Sequence, residues 1–145
     1  MWREAVKGAA VAMLVSSLLS ACGETPPAAP ARPGPAGLAN PASEHCVARG
    51  GTLVIEKNGA GGEYGVCRFP DDRQCEEWAM LRGACPEGGI RVTGHVTPAA
   101  RSCAISGGRY AVTSGSNTPD EQGTCAWSDG RRCDARAYYD GRCGR

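Results

Sequence analysis

Phenylalanine occurs once and methionine three times in this chain of 145 residues, alongside three tryptophans and four tyrosines. So few large apolar side chains exclude one ordinary hydrophobic core; the 41% hydrophobic fraction rests on alanine and cysteine. A large excess of charge of one sign is also missing. The formal net charge is +1, so no strong field draws the chain to nucleic acid or to an anionic surface, and no nucleic-acid partner is expected. No Cys-x-x-Cys occurs, and His45 and His95 stand alone. Zinc sites usually show closely spaced ligands, so neither a metal nor a cofactor is expected. There is no Gly-x-Ser-x-Gly turn either, and nothing suggests that Ser, His and an acid converge. His45 reads as an exposed helix residue and His95 as part of a linker.

The one long apolar run lies at the amino terminus. Residues 1–21 read as a signal peptide: Arg3 and Lys7 make a positive n-region, Ala9 to Leu19 an apolar stretch, and Ser20-Ala21 a small-residue cleavage site. Glu4 departs from that pattern. As a helix the run spans roughly 16 Å, short of the ~30 Å hydrocarbon core, so no permanent span is predicted. Leu19-Ser20-Ala21-Cys22 resembles the bacterial lipobox. The resemblance implies cleavage before Cys22, diacylglycerol on its thiol and acylation of its new amino group. Each buried methylene contributes about 0.8 kcal/mol, and several chains anchor where one would not. Gly23, rather than Asp, implies sorting to the outer membrane. Lipid at Cys22 also settles a parity problem, because nine cysteines in an exported chain leave one unpaired. Residues 22–39 are dominated by Pro, Ala and Gly. They cannot bury a core and read as a disordered stalk, reaching on the order of 50 Å if extended.

The other eight cysteines form two sets, Cys46, Cys67, Cys75, Cys85 and Cys103, Cys125, Cys133, Cys143, with gaps of 21, 8, 10 and 22, 8, 10. "NPASEHCVARGG" lies over "TPAARSCAISGG", and "CEEWAMLRGAC" over "CDARAYYDGRC". This is an internal duplication. Asn40-Pro41 and Thr97-Pro98 open helices, and Gly50-Gly51 and Gly107-Gly108 end them. "TLVIEK" and "RYAVTS" read as strands, the Asn-Gly of "NGAGGE" as a hairpin signal, and "YGVCRF" and "GTCAW" as return strands. Short helices follow from about Glu76 to Arg82 and Asp134 to Asp140. The predicted fold class is α+β: two small disulfide-stapled α-β-β-α modules in tandem, 40–85 and 97–145. A linker, 86–96, joins them and has room for a short strand at Ile90 to Val96. Domains this small usually need covalent staples, which an oxidising compartment permits.

Ten residues of continuous helix would hold Cys75 and Cys85 ~15 Å apart, while bridged Cα atoms lie within about 7 Å. That opposes Cys75–Cys85 unless the helix is short and the chain folds back after Gly83. Cys46–Cys67 would tie the first helix to the return strand and close a loop worth roughly 3 kcal/mol. Cys46–Cys67 and Cys103–Cys125 are therefore preferred, and the second pair in each module follows by elimination.

The joined pattern of Asn40-Pro41-Ala42-Ser43, Cys46, Gly50-Gly51, "CRFPDD" and "CEEWA" resembles the bacterial domain of unknown function 333. The resemblance covers residues 40–85 in full and 97–143 through cysteines and glycines, with Glu76-Glu77-Trp78 replaced by Asp134-Ala135-Arg136. It implies a small exported or lipid-anchored protein. It also supports Cys46–Cys67 as the basic bridge, since some relatives keep only the first two cysteines. The hemolysin label that such proteins often carry implies no mechanism, and nothing here resembles a pore former.

For chemistry, the best candidates are Asp71, Asp72, Glu76 and Glu77, clustered near the start of the last helix of the first module. Acids there stabilise a helix through its dipole, which accounts for them without catalysis. Trp78 and Leu81, at helical spacing, read as core. Tyr138 and Tyr139 cannot both face one core, since adjacent helical residues diverge by about 100°; one is exposed or set between the modules. An aromatic beside Arg131, Arg132 and Arg136 suits recognition. The expected function is a non-catalytic binding or structural role at the bacterial cell envelope. Its partners would be the membrane, through the lipid anchor, and an envelope protein or cell-wall component. The alternative is a small inhibitor of a protease or lysozyme-type hydrolase, working through Asn58–Glu63 or Ser114–Gln122.

Overall fold

The computed structural model describes residues 40–144; the expected signal peptide, Cys22 and the stalk lie outside the described residues. The element order is α1 (Pro41–Ala48), β1 (Thr52–Lys57), β2 (Glu63–Phe69), β3 (Arg73–Glu76), α2 (Glu77–Leu81), β4 (Ile90–Arg91), α3 (Pro98–Ile105), β5 (Arg109–Ser114), β6 (Gln122–Ala126), β7 (Arg132–Asp134) and α4 (Ala135–Tyr139). Two antiparallel sheets result, ordered β1-β2-β3-β4 and β5-β6-β7. The fold is α+β, in two tandem modules with two disulfides each.

Asn40 sets the start of α1 by accepting from the Ala42 and Ser43 amides, and Thr97 sets that of α3 by accepting from Ala100. In each case proline follows, where a missing amide costs nothing. The Gly-Gly pairs that close these helices divide their work. Gly50 and Gly107 take φ of 79° and 82°, the left-handed cap. Gly51 and Gly108 make room for sulfur: an added Cβ would lie 2.3 Å from Cys67 Sγ and 2.4 Å from Cys125 Sγ respectively.

Each module carries one strand more than α-β-β-α. "RQCE" and "RCD" hold no β-branched or aromatic residue, so propensity gives no strand signal. Tertiary pairing makes them strands, with Cys75 opposite Cys67 and Cys133 opposite Cys125. The Asn-Gly signal likewise produces a longer loop than the two-residue turn it suggests. Asn58 Oδ1 accepts from the Ala60 and Gly62 amides, and the loop closes between Lys57 and Glu63.

The bridges are Cys46–Cys67, Cys75–Cys85, Cys103–Cys125 and Cys133–Cys143, with Cα separations of 5.6, 5.8, 5.6 and 6.2 Å. The distance objection to Cys75–Cys85 lapses because α2 has five residues and Cys75 precedes it on β3. Gly83, at φ 72°, turns the chain back, and the Ala84 and Cys85 amides both donate to the Ala79 carbonyl.

Sulfur fills much of both cores. In the first, Cys46, Cys67, Cys75 and Cys85 pack with Ala79 and Met80; in the second, Cys103, Cys125 and Cys133 pack with Trp127 and Tyr138. Trp78 and Leu81 are not core: they are 40% and 36% exposed. Glu77 and Met80, also three apart, take the inward face of the short helix and leave Trp78 and Leu81 on the outer one.

The two modules share a third apolar cluster, in which Tyr64 and Val66 of the first meet Ile105 of the second. Tyr139 is the residue between modules: its hydroxyl donates to the Lys57 carbonyl and its own carbonyl accepts from Gly59 N. Among the described residues no helix is long and apolar enough to cross a membrane.

Candidate functional site

The four carboxylates singled out in the sequence do not form one centre. β3 separates Asp71 and Asp72, in the exposed turn at φ 61° and 54°, from the start of α2. Glu76 is the N-cap of α2, accepting from the Trp78 and Ala79 amides at 3.1 and 2.7 Å. Glu77, 4% exposed, turns inward and accepts from Asn40 Nδ2 at 3.0 Å and Ser43 Oγ at 2.6 Å. Its carboxyl group lies against Gly65, where a Cβ would stand 2.3 Å from the carboxyl carbon. Glycine is needed there because a buried carboxylate occupies the space. In the second module Ala135 replaces Glu77, and the Tyr110 ring lies in the same way over Gly123. His95 rests on the Val92 carbonyl. His45 is half-buried rather than exposed, 3.9 Å from Glu87. Among the described residues no three His, Cys, Asp or Glu side chains are grouped to hold a metal ion.

Sequence reading missed a polar clamp between the modules. Arg101 on α3 forms two hydrogen bonds with Glu56 on β1, both 2.8 Å, and also donates to Gln74 on β3. Arg68 and the Tyr64 hydroxyl complete the shell of Glu56, at 2.7 and 3.2 Å. The Arg101 hydrogen bonds, with Arg68 adding to them against the cost of burial, pull the Glu56 carboxyl down to about 2. Burial, seconded by the Glu56 charge, pushes the Tyr64 phenol up to about 12. A signal existed in the repeat: Arg101 stands where the first copy has Glu44, and Glu56 where the second has Thr113. The clamp therefore runs one way, from the second helix onto the first sheet.

This docking closes a cleft of about 440 Å³ between the modules. One wall carries Glu63, Gly65, Glu76 and Trp78; the other carries Ser106, Trp127, Arg131 and Tyr138. Trp127 is fixed from two sides, donating to Ser106 Oγ at 3.3 Å and packing on Tyr138 with ring centroids 4.7 Å apart. Arg131 lies 5.0 Å over the Trp127 ring while donating to Asp129 and to the Gly144 carbonyl. Arg136 lies 6.0 Å over Tyr139 and pairs with Asp140, whereas Arg132 stays exposed on β7.

A second hollow of about 400 Å³, in the second module, is lined by Glu121, Gln122, Gly123, Asp134, Ala135 and Arg136. By the cysteine register these are the counterparts of Glu63, Tyr64, Gly65, Glu76, Glu77 and Trp78. The duplication thus kept a concave surface as well as a scaffold, and Asp134 still caps its helix as Glu76 does. Of the two candidate inhibitory loops, Asn58–Glu63 is pinned to α4 through Gly59. Ser114–Asp120 is exposed throughout.

The profile of the family described as Domain of unknown function (DUF333) matches residues 37–84 and 94–142. An uncharacterized protein YoaF of Escherichia coli K12 is 35% identical over 80 residues, covering 54% of this chain and 94% of the relative. The YoaF protein of Shigella flexneri matches to the same extent. No solved structure matches.

Proposed function

Because this chain belongs to the DUF333 family, whose function is unknown, we propose from its own residues that it is a lipid-anchored, non-catalytic binding protein of the bacterial cell envelope. The observation that carries this is the cleft itself. It is walled by both modules, and the acids of its first wall that come nearest to a catalytic arrangement are spent on the fold. Glu76 holds the amides of α2 and Glu77 holds α1 through Asn40 and Ser43. What faces outward is an exposed indole and a guanidinium held in place, which suit recognition. The lipobox-like Leu19-Ser20-Ala21-Cys22 supports the anchor and Gly23 the outer membrane. Cross-linking in intact cells followed by pull-down should recover a cell-wall fragment or envelope protein with wild type and lose it with Trp78→Ala. Turnover of peptidoglycan, peptide or ester substrates that disappears in a Glu63→Gln/Glu76→Gln variant would overturn the reading.

A second reading rests on the Ser114–Gln122 loop. It is exposed yet internally braced, by Thr118 Oγ1 on the Gly115 carbonyl and Glu121 on the Asn117 amide. A rigid exposed loop suits an inhibitor of a protease or lysozyme-type hydrolase. A tight complex with such an enzyme, lost when the loop is shortened, would favour it.

A further inference from the structure

One wall of the inter-module cleft recurs in the second-module hollow, and the chemistry of the two points to a ligand class. Resting on the binding reading above, we propose that they are two subsites for a single glycan strand of acetylated amino sugars that carries carboxylates. In the first subsite Trp78 is 40% exposed on the cleft wall. An indole face accepts the apolar C–H face of a pyranose ring while leaving the ring hydroxyls free to hydrogen-bond. Glu63, at the start of β2, makes no side-chain hydrogen bond or ion pair among the described residues, so its oxygens are open to sugar hydroxyl and acetamido donors. Arg131 is positioned before any ligand arrives, by Asp129, the Gly144 carbonyl and the Trp127 ring. A guanidinium fixed in this way offers a planar pair of donors to a carboxylate.

The second subsite has Glu121 where the first has Glu63, here with one carboxylate oxygen accepting from the Asn117 amide, and exchanges the indole for Arg136, whose exposed guanidinium also pairs with Asp140. An indole subsite and a guanidinium subsite on one body match a polymer in which neutral and carboxylate-bearing sugars recur. Recurrence matters because two linked subsites raise affinity through effective concentration only when the ligand also repeats. Peptides fit less well. The common way for a sheet to take a peptide is to add it as an edge strand, but β2 and β6, which line these hollows, are central strands paired on both sides. The body is also rigid: four disulfides and the Glu56–Arg101 clamp fix the subsites before binding, which limits the ordering cost.

The test is calorimetric and fluorescence titration of the mature protein in detergent. The probes are glycan fragments of N-acetylglucosamine and N-acetylmuramic acid, of two, four and six sugars. Affinity should rise at least tenfold from the two-sugar to the six-sugar fragment. Trp78→Ala should weaken every length at least tenfold, and Arg136→Ala should abolish the gain with length; both side chains are exposed, so neither variant should unfold. No saturable binding to any fragment would overturn the inference, as would binding of the free stem peptide alone or affinity independent of length. If cross-linking meanwhile recovers an envelope protein through the same cleft, the binding reading stands and the glycan assignment falls.

Discussion

Glu56 and Arg101, 45 residues apart in sequence, meet across the module boundary through two hydrogen bonds of 2.8 Å. Arg101 belongs to the second helix and Glu56 to the first sheet, and at the repeat-equivalent positions the partners are Glu44 and Thr113. Had both charges been present in both copies, the same head-to-tail contact could recur without closing, which favours open assemblies. Divergence at these two positions makes the docking happen once.

Removing one partner should therefore cost more than removing both. Both side chains are about one-fifth exposed, so Arg101→Met leaves a largely buried carboxylate with only Arg68 and the Tyr64 hydroxyl as partners, and a loss of about 2 kcal/mol is expected. The double variant Arg101→Met/Glu56→Gln should lose less than the sum of the singles. Urea unfolding of the four proteins measures the coupling directly.

The same pair sets the acid response. Glu56 titrates at about 2 in the fold against an ordinary 4.5, so the unfolded chain takes up its proton first. Its contribution is complete above about pH 4.5 and fades as pH falls toward 2. Because water still reaches one side of the pair, the effect should be on the order of 2 kcal/mol, below what the full shift would give. Stability curves between pH 5 and pH 2 should be flatter for Glu56→Gln than for wild type. Equal slopes would show that the carboxylate is not held by Arg101.

Gly65→Ala should be costly although the residue sits in a strand, where alanine is ordinarily the better choice. The added methyl meets the Glu77 carboxyl group at 2.3 Å and must break its hydrogen bonds to Asn40 and Ser43. We expect a loss of about 2–3 kcal/mol by thermal unfolding. Only part of it should be recovered in Gly65→Ala/Glu77→Ala, which removes the clash and imitates Ala135 of the second copy at the Glu77 position but still lacks the bonds to Asn40 and Ser43.

How far the sequence reveals this molecule follows from the range of each interaction. The caps at Asn40 and Thr97, the glycine stops and the strands Thr52–Lys57 and Arg109–Ser114 depend on neighbours within a few residues, and all are legible. β3 and β7 are not, because their strand state comes from pairing with the preceding strand and from a disulfide, not from their own residues. Trp78 was misread for a related reason. Three-residue spacing defines two faces on a short helix, and which one is buried was decided by Glu77 finding Asn40 and Ser43 far away in the chain. The cleft was harder still, since it exists only once Arg101 has found Glu56. The repeat did hold a usable trace of it, in Glu63 over Glu121 and Glu76 over Asp134.

The anchor is tested apart from the fold. Cys22→Ser should leave the protein in the soluble fraction or still carrying its signal, without palmitate label. The four disulfides should form as before. Continued labelling and membrane retention would remove the lipobox reading while leaving the cleft untouched.

The staples should decide whether there is a cleft at all. Each module has fewer than the roughly 70–80 residues that usually hold a fold unaided, and in the first all four cysteines are 0–1% exposed. The bridges span 21, 10, 22 and 10 residues. Loop closure varies slowly with length, so each is worth about 3 kcal/mol, and the longer pair exceeds the shorter by less than about 1 kcal/mol. Cys46→Ala/Cys67→Ala and Cys75→Ala/Cys85→Ala should therefore be destabilised to similar extents, and reduction of all four bridges should unfold the protein. Peptide mapping without reduction should find no free thiol among these eight residues and no bridge joining the first four to the second four. Such a bridge would mean that covalent bonds, not Glu56 and Arg101, hold the modules together, and Arg101→Met should then leave stability almost unchanged.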